Sequence, residues 1–354
     1  MSRSSAFLPL ILIWTVSFSD IAGCTSSKPA VSTHPVWTNY EMNVSVFSMA
    51  FEGNDVWVGT EQGLIKYDLV QDQIVGRYDS KNGLVSDIVT TVKLDSQGNK
   101  WVGTHGGGLA EFDGKTWRHY NVPDLADPYV YDILFDQGGR MWVANWKGVS
   151  LFDGRKWKSY TKADGIVDDW VYALAMDHDG VIWLGTEGGV TRYDGRGFVS
   201  YTHKDGVGAD LETIGSYEKI PNPSFHHRTT PGKEAEGYNP NYILAAAVDS
   251  QNNKWFGTWG AGLSRFDGKH WTTYTTRDGL SGNFISDILI DKADDLYAAT
   301  EGGVSLLSGG RWSRFTSKEG LVDDGVFAAV MDAFGYKWFG TLKGISKLEG
   351  YSPQ

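Results

Sequence analysis

The stretch WVGTHGGGLAEFDGKTWRHY, residues 101–120, decides the fold, because close copies of it recur along the chain. The seven copies begin at Trp57, Trp101, Trp142, Trp183, Trp255, Tyr297 and Trp338. Successive copies start 44, 41, 41, 72, 42 and 41 residues apart. The spacing indicates a unit of about forty residues with one long insertion, a period typical of propellers and solenoids.

Each unit has the pattern of four short strands. In the second unit the segments 87–95, 100–104, 108–112 and 116–120 are rich in β-branched and aromatic residues and are separated by turn-forming residues. We label these strands A to D, and the short turns between them predict an antiparallel meander. A sheet this small must stack on its neighbours to bury both faces. The sequence therefore predicts an all-β fold, a seven-bladed β-propeller of four-stranded antiparallel blades.

The two ends of the repeat region complement each other. The last unit has strands A to C and stops at Glu349, without a strand D. Before the first strand A, the segment WTNY at 37–40 matches the strand D segment at 117–120. We expect this N-terminal strand to complete the last blade and close the ring. The propeller would span residues 36–350, followed by a short tail at 351–354.

The charge of the chain argues against two classes of partner. Its formal net charge is -11 at pH 7, and no part of the repeat region carries a polybasic run. A nucleic acid or an anionic membrane surface would be repelled by such a chain. We expect no nucleic-acid partner.

The start of the chain has the pattern of a secretory signal. Residues 1–23 contain one basic residue near the beginning, an apolar segment and then small residues. The segment IAGC at 21–24 resembles the lipobox of bacterial lipoproteins, and Cys24, the single cysteine, would carry the lipid. We expect an exported cell-envelope lipoprotein with a polar tether at 24–35 and membrane contact through the anchor. Thr25 after the lipobox favours the periplasm-facing outer membrane, and a secreted soluble protein is the alternative.

Three segments carry a resemblance to a known family. They read NGLVSDIVTTVKLDSQGNKWVGT (82–104), DGIVDDWVYALAMDHDGVIWLGT (164–186) and DGLSGNFISDILIDKADDLYAAT (278–300). The pattern resembles the two-component regulator propeller repeat, found in periplasmic sensor regions of bacterial hybrid histidine kinases and in free-standing exported proteins. The resemblance covers residues 36–350 and implies extracellular signal sensing, often of glycans. The chain contains no kinase segment, so we expect a separate envelope partner such as a sensor kinase.

Residues that recur in every unit are interpreted as scaffold, because a packing requirement repeats whereas a ligand site needs a residue once or twice. The aromatic residue near the start of strand B and the small residue two positions later belong to this class. The aspartates that follow strand A are expected to accept hydrogen bonds from their own turn amides. They are Asp95, Asp136, Asp177, Asp249, Asp291 and Asp332.

Unrepeated residues at one end of the strands are the candidates for ligand binding. In a meander the B–C turns and the D–A connections share one end, which we name the B–C face; the opposite end is the A–B face. The candidates on the B–C face are His105, Tyr129, Trp146, Trp170, Glu187, Trp259, Phe284 and Glu301. We expect the three tryptophans to be exposed and to stack on a sugar ring or another flat ligand. The alternative is that each packs against the neighbouring turn.

The long insertion falls on the same face. Residues 207–237 lie between the fourth and fifth units and are polar, turn-rich and contain three prolines. Such a segment is either a flap over the mouth of the channel or a solvated excursion. The candidate flap residues are His226, His227 and Arg228. With His105 and Glu187 or Glu301, the two histidines could assemble a metal site, although we favour a protein without metal or cofactor.

The motifs favour binding over catalysis. The sequence has no GxSxG, no HExxH, no phosphate-binding P-loop and no second cysteine. We therefore expect a non-enzymatic propeller that binds a glycan or another small ligand on the B–C face and acts with a separate signalling partner. The alternatives are a protein-interaction scaffold in the envelope and a metal-dependent enzyme similar to the streptogramin lyases.

Overall fold

The computed structural model describes residues 34–215 and 238–351. Within these ranges the chain forms seven four-stranded antiparallel sheets, one for each repeat unit. The predicted seven-bladed β-propeller is confirmed. Outside the described residues lie the signal at 1–23, Cys24 with most of the tether at 24–35, and the flap candidates His226, His227 and Arg228.

Strands A to D of the first four blades have the following bounds. Blade 1 comprises Val46–Glu52, Asp55–Thr60, Gly63–Asp68 and Gln73–Tyr78, and blade 2 comprises Val89–Leu94, Lys100–Thr104, Gly108–Phe112 and Trp117–Tyr120. Blade 3 comprises Val130–Phe135, Met141–Asn145, Gly148–Phe152 and Trp157–Tyr160, and blade 4 comprises Val171–Met176, Ile182–Thr186, Gly189–Tyr193 and Phe198–Tyr201.

The other three blades repeat the pattern. Blade 5 comprises Ile243–Val248, Lys254–Thr258, Leu263–Phe266 and Trp271–Tyr274, and blade 6 comprises Ile285–Ile290, Leu296–Thr300, Gly303–Ser308 and Arg311–Phe315. Blade 7 takes strands A to C from Val326–Met331, Lys337–Thr341 and Gly344–Glu349, and its strand D is Val36–Glu41. The helical segments described are two short 3₁₀ turns, Lys162–Asp164 and His203–Asp205, and one α-helical turn, Leu211–Ile214.

The ring is closed by the first strand, as predicted. Val36 pairs with Glu349 at one end of the ribbon, and Glu41 pairs with Gly344 at the other. The ring of Trp37 packs against Phe315 of blade 6 at a centroid distance of 5.7 Å. The N-terminal strand therefore contributes hydrogen bonds to blade 7 and apolar contact to the interface with blade 6.

The core lies between the blades, where the repeated tryptophans pack against the next blade. Trp57 of blade 1 is 2% exposed and lies in one cluster with Val89 and Val102 of blade 2. The repeated small residue of strand B is also explained by contact with the next blade. A Cβ on Gly103 would lie 2.5 Å from Cγ1 of Val130 in blade 3, which is too close. The repeated residues are scaffold, as expected, since they set the contact between adjacent sheets.

The repeated aspartates also bind the tryptophans, which the sequence analysis missed. All six accept a backbone amide of their own turn at 2.9–3.1 Å, as predicted. In five of them the other carboxylate oxygen accepts the indole Nε1–H six residues later, at 2.8–3.0 Å. Blade 6 differs: Tyr297 replaces tryptophan, its buried hydroxyl has no hydrogen-bond partner among the described residues, and Asp291 pairs with Lys337 at 2.7 Å.

The connection from blade 4 to blade 5 follows the repeat farther than the sequence suggested. Val207 is fully buried, in the position that Ile166 and Leu280 occupy in other connections. The Gly208 amide donates to Ser264 Oγ at 2.9 Å, which reproduces a bond made at the same place in other blades. The connection therefore departs from the repeat after Gly208, two residues later than the predicted start at residue 207.

Candidate functional site

In most B–C turns the last residue of strand B makes the side-chain hydrogen bonds of the turn. The residue that follows it can therefore differ from blade to blade. In blade 4 the hydroxyl of Thr186 donates to the Gly189 carbonyl at 2.8 Å and accepts the Gly188 amide at 3.2 Å. A threonine makes the same bond to a glycine carbonyl in every blade except blade 3, where Asn145 stands instead. The following residues, one per blade, are Glu61, His105, Trp146, Glu187, Trp259, Glu301 and Leu342. The side chains at these seven positions therefore vary while the hydrogen bonding of the turn that carries them is largely the same.

Four of the predicted residues form one continuous row, which we name the outer aromatic row. Its members His105, Tyr129, Trp146 and Trp170 come from blades 2 to 4 and are half-buried. Successive ring centroids are 4.6, 4.8 and 5.4 Å apart, and each ring meets the next edge to face. Burial lowers the pKa of His105 to about 4, so its imidazole is neutral at neutral pH.

A second series of rings lies deeper, at the mouth of the channel, and we name it the inner aromatic row. It runs from Tyr131 through Tyr172 and Tyr242 to Trp259 and Phe284, with centroids 4.9–5.2 Å apart. Burial raises the pKa of the Tyr131 and Tyr172 hydroxyls, so both stay protonated. This series joins blades 3 to 6.

The expectation that Trp259 is exposed is wrong. Trp259 is 7% exposed and Phe284 is 3% exposed. The indole stacks on Tyr242 with an interplanar angle of 25° and meets the edge of Phe284 at 84°. Here the alternative of packing against neighbouring residues wins, because the residues before strands A of blades 5 and 6 are themselves aromatic. Trp146 and Trp170 are half-buried rather than exposed, because Trp146 packs against both Tyr129 and Trp170.

Three tyrosines of the inner aromatic row were missed by the sequence analysis. Tyr131 and Tyr172 are the second residues of their strands A, a position held elsewhere by Phe47, Thr90, Leu244, Ser286 and Phe327. The residue at that position varies among the blades, so the criterion applied to the turns would have found it. Tyr242 directly precedes strand A, as Tyr129 and Trp170 do. The candidates come from the turns and the connections, whereas the B–C face is also lined by the first residues of strands A.

The two predicted glutamates have different surroundings. Glu187 accepts a hydrogen bond from the Tyr172 hydroxyl at 3.3 Å and so lies beside the inner aromatic row. Glu301 accepts the backbone amides of Asn283 and Phe284, both at 3.1 Å. Burial raises the pKa of Glu301 more than these amides lower it. Glu187 is therefore tied to the inner aromatic row, whereas Glu301 holds the start of strand A in blade 6.

The described residues contain no cluster of three or more histidine, cysteine, aspartate or glutamate side chains that could hold a metal ion. The metal site considered from the sequence depends on His226 and His227, which lie outside the described ranges. Among residues 34–215 and 238–351, no helix has the length and apolar character that crossing a bilayer requires.

Comparison with known proteins supports the repeat and the fold. The sequence model of the two component regulator propeller family matches residues 165–188, which confirms the resemblance. A similar solved structure is the extracellular domain of a chain assigned to a hybrid two component system from B. thetaiotaomicron, with a TM-score of 0.71 and 20% identity. The alignment covers 88% of this chain but 41% of that chain. No curated protein sequence matches the chain.

The fold is also similar to that of an enzyme. Virginiamycin B lyase from Staphylococcus aureus, solved with quinupristin, has a TM-score of 0.67 and 14% identity, and the alignment covers 89% of this chain and 99% of the lyase. A second structure, named streptogramin B lyase, has a TM-score of 0.64 and 13% identity, with 89% and 97% covered. At these identities the likeness shows a shared fold and does not extend to activity.

Proposed function

We propose that this chain, a seven-bladed propeller that carries the two component regulator propeller repeat, is an exported, non-enzymatic binding protein. It recognises a glycan or another small ligand on the B–C face. A separate signalling partner in the envelope, such as a sensor kinase, responds to the bound state. The likeness to an extracellular domain of a two component system supports export and signalling.

The contiguity of the aromatic residues carries this proposal. Aromatic residues at positions that vary among the blades come from blades 2 to 6 and meet in two rows on one face. Half-buried indoles give a large contact area with few rotatable bonds, and the Tyr172–Glu187 pair adds hydrogen-bonding groups. Aromatic rings beside polar groups suit the alternating apolar and hydroxyl faces of a sugar ring.

A ligand screen with matched variants tests the proposal. The full chain is screened against glycans and metabolites by thermal shift, and hits are measured by titration calorimetry. Trp146→Ala and Trp170→Ala should each weaken a hit at least about tenfold, the scale of a binding hot spot. Phe334→Ala is the matched control, because Phe334 is 56% exposed on the A–B face. Equal loss in all three variants, or no loss, would contradict binding at the B–C face.

One observation favours a protein ligand as the second candidate. Four aliphatic side chains of the B–C face are 44–59% exposed: Val85, Val122, Leu211 and Leu342. They lie in the D–A connections and in one B–C turn, on the same face as the aromatic rows. An envelope scaffold would use such a rim for a protein partner. Val122→Ser should then weaken partner capture while leaving any small-ligand affinity unchanged, and the reverse result would exclude the scaffold.

A further inference from the structure

His203 is held by two groups that can only accept hydrogen bonds. Its Nδ1 lies 2.7 Å from the carbonyl oxygen of Val207, and its Nε2 lies 3.0 Å from Oδ1 of Asp210. A carbonyl and an ionised carboxylate have no proton to give, so both ring nitrogens must donate. A ring that donates from both nitrogens is the charged imidazolium.

The backbone amide of His203 makes a hydrogen bond that recurs in other D–A connections, whereas its imidazole side chain is particular to this connection. The equivalent residues of other D–A connections are Ser80, Lys162, Thr276 and Ser317. Each of these, like His203, donates its backbone amide to an aspartate or asparagine just before the next strand A. In blade 4 that partner is Asn241, at 2.6 Å. The amide therefore has a scaffold role, and the imidazole adds the bonds to Val207 and Asp210. The equivalent side chain of blade 3, Lys162, lies 3.9 Å from Asp168 instead.

The contact fixes the first residues of the longest connection of the B–C face. The Ala209 amide donates to the Ala261 carbonyl at 3.0 Å, and the Tyr238 hydroxyl donates to the Ala209 carbonyl. Arg277 donates to the Glu212 carbonyl at 2.9 Å, beside the helical turn Leu211–Ile214. None of these other bonds changes its protonation near neutral pH. The His203 contacts are the part of this set that responds to protons.

The charges around the ring favour the imidazolium. Asp210 faces it directly, whereas Asp205 of the same turn uses its carboxylate on the amide and hydroxyl of Thr202. Within the described residues, the other charged groups on the adjoining segments are Lys204, Glu212, Arg277 and Asp278. Arg277 donates to a backbone carbonyl, and Asp278 accepts from the amide and hydroxyl of Thr275. Burial works to lower the pKa of His203, but the bonds to Val207 and Asp210 outweigh it and raise the pKa above its ordinary value.

We propose that His203 is a proton-dependent clasp that holds residues 207–210 to the B–C face. The imidazolium binds Val207 and Asp210 together, and loss of its proton breaks one of the two bonds. Because the folded pKa is raised, the stabilisation is complete below the unfolded value of about 6.5 and is lost as pH rises through the folded value. A regulatory effect on ligand binding rests on the proposed function, whereas the clasp itself does not.

Nuclear magnetic resonance of the ring nitrogens tests the clasp in the full chain without any ligand. At pH 6 both nitrogens should show the imidazolium shifts, and the pKa should lie above the ordinary histidine value of about 6.5. Asp210→Asn should lower that pKa while leaving the fold intact, because Asp210 is largely exposed. A neutral single tautomer at pH 6 would overturn the proposal.

Hydrogen exchange of residues 208–215 tests the consequence. After correction for intrinsic rates, exchange should be about two- to fivefold faster at pH 8 than at pH 6, the size expected for a partly exposed charged pair. His203→Gln should abolish the difference. Tyr238→Phe is the control: it should speed exchange at both pH values and keep the difference. Exchange that does not depend on pH in the wild type would overturn the clasp, whereas failure to find a ligand would contradict the proposed function alone.

Discussion

The A–B face and the B–C face are built from the same strands, yet one conserves its side chains from blade to blade and the other varies them. On the A–B face an aspartate binds its own turn amides and the indole of the next strand in five blades. On the B–C face the residue after strand B is glutamate, histidine, tryptophan or leucine, depending on the blade.

The difference follows from which residue closes each turn. At the A–B face of blades 2 to 7 the aspartate of the turn accepts the turn amides, so its removal leaves those donors unpaired. At the B–C face the threonine of strand B satisfies the turn from within the sheet. The side chain of the next residue is then not needed for the hydrogen bonds of the turn. A repeat protein can therefore vary one end of its strands while the other end maintains the fold.

The largest expected effect comes from substituting a repeated residue near the A–B face, the conserved end of the strands. Trp142→Ala removes a fully buried indole between blades 3 and 4 and should lower the free energy of unfolding by about 3–5 kcal/mol. Trp146→Ala, four residues along the same blade, should cost far less because that ring is half-buried. Guanidinium titration of both variants measures the contrast, and equal losses would refute the assignment of scaffold and variable ends.

The next largest effect is expected when the aspartate that accepts the hydrogen bonds of an A–B turn is removed. Asp136→Ala leaves the Gly138 and Arg140 amides and the Trp142 Nε1–H without their partner and should cost about 1–3 kcal/mol.

The same aspartate predicts an acid dependence. Burial works to raise the pKa of Asp136, but the bonds from Trp142 and Arg140 lower it below its ordinary value. Its stabilisation is therefore present above about pH 4 and is lost as pH falls through the lower folded value. The stability gap between wild type and Asp136→Asn should shrink in that range, and a gap that stays constant would contradict the assignment.

A smaller effect tests the tolerance of the variable end. Trp146→Glu places at the B–C turn of blade 3 the residue found there in blades 1, 4 and 6. The fold should persist with a loss of about 1 kcal/mol, since Asn145 rather than residue 146 anchors this turn. Circular dichroism and guanidinium titration measure it. Loss of cooperative unfolding would show that the indole is structural after all.

The smallest effect concerns blade 6, where Tyr297 replaces the tryptophan at the conserved end. Tyr297→Phe removes a buried hydroxyl that has no hydrogen-bond partner among the described residues and should raise the free energy of unfolding by about 0.5–1 kcal/mol. Tyr193→Phe is the matched control, because that hydroxyl pairs with Tyr160 at 3.3 Å and its removal should not stabilise. A destabilised Tyr297→Phe variant would indicate a partner for the hydroxyl.

Repetition made the fold predictable, and the same property limited the prediction of the site. The period, the turn aspartates and the match between residues 37–40 and strand D were enough to place every blade and the closing strand. The candidates of the outer aromatic row were also found, because an unrepeated residue in a repeated turn stands out. Their contacts were not predictable, since ring packing depends on distances between blades. Trp259 is buried by Tyr242 and Phe284, from two different connections, and no spacing within one unit encodes that contact.

The closing ribbon gives the molecule a fixed polarity. Val36 and Glu349 pair at its A–B end, so the polypeptide enters and leaves the ring on one side. A module joined directly to Val36 or Glu349 would therefore attach on the A–B face, at the opposite end of the strands from the aromatic rows. The propeller can therefore be attached to a surface or to another domain without covering its B–C face, and a single pair of strands sets its orientation.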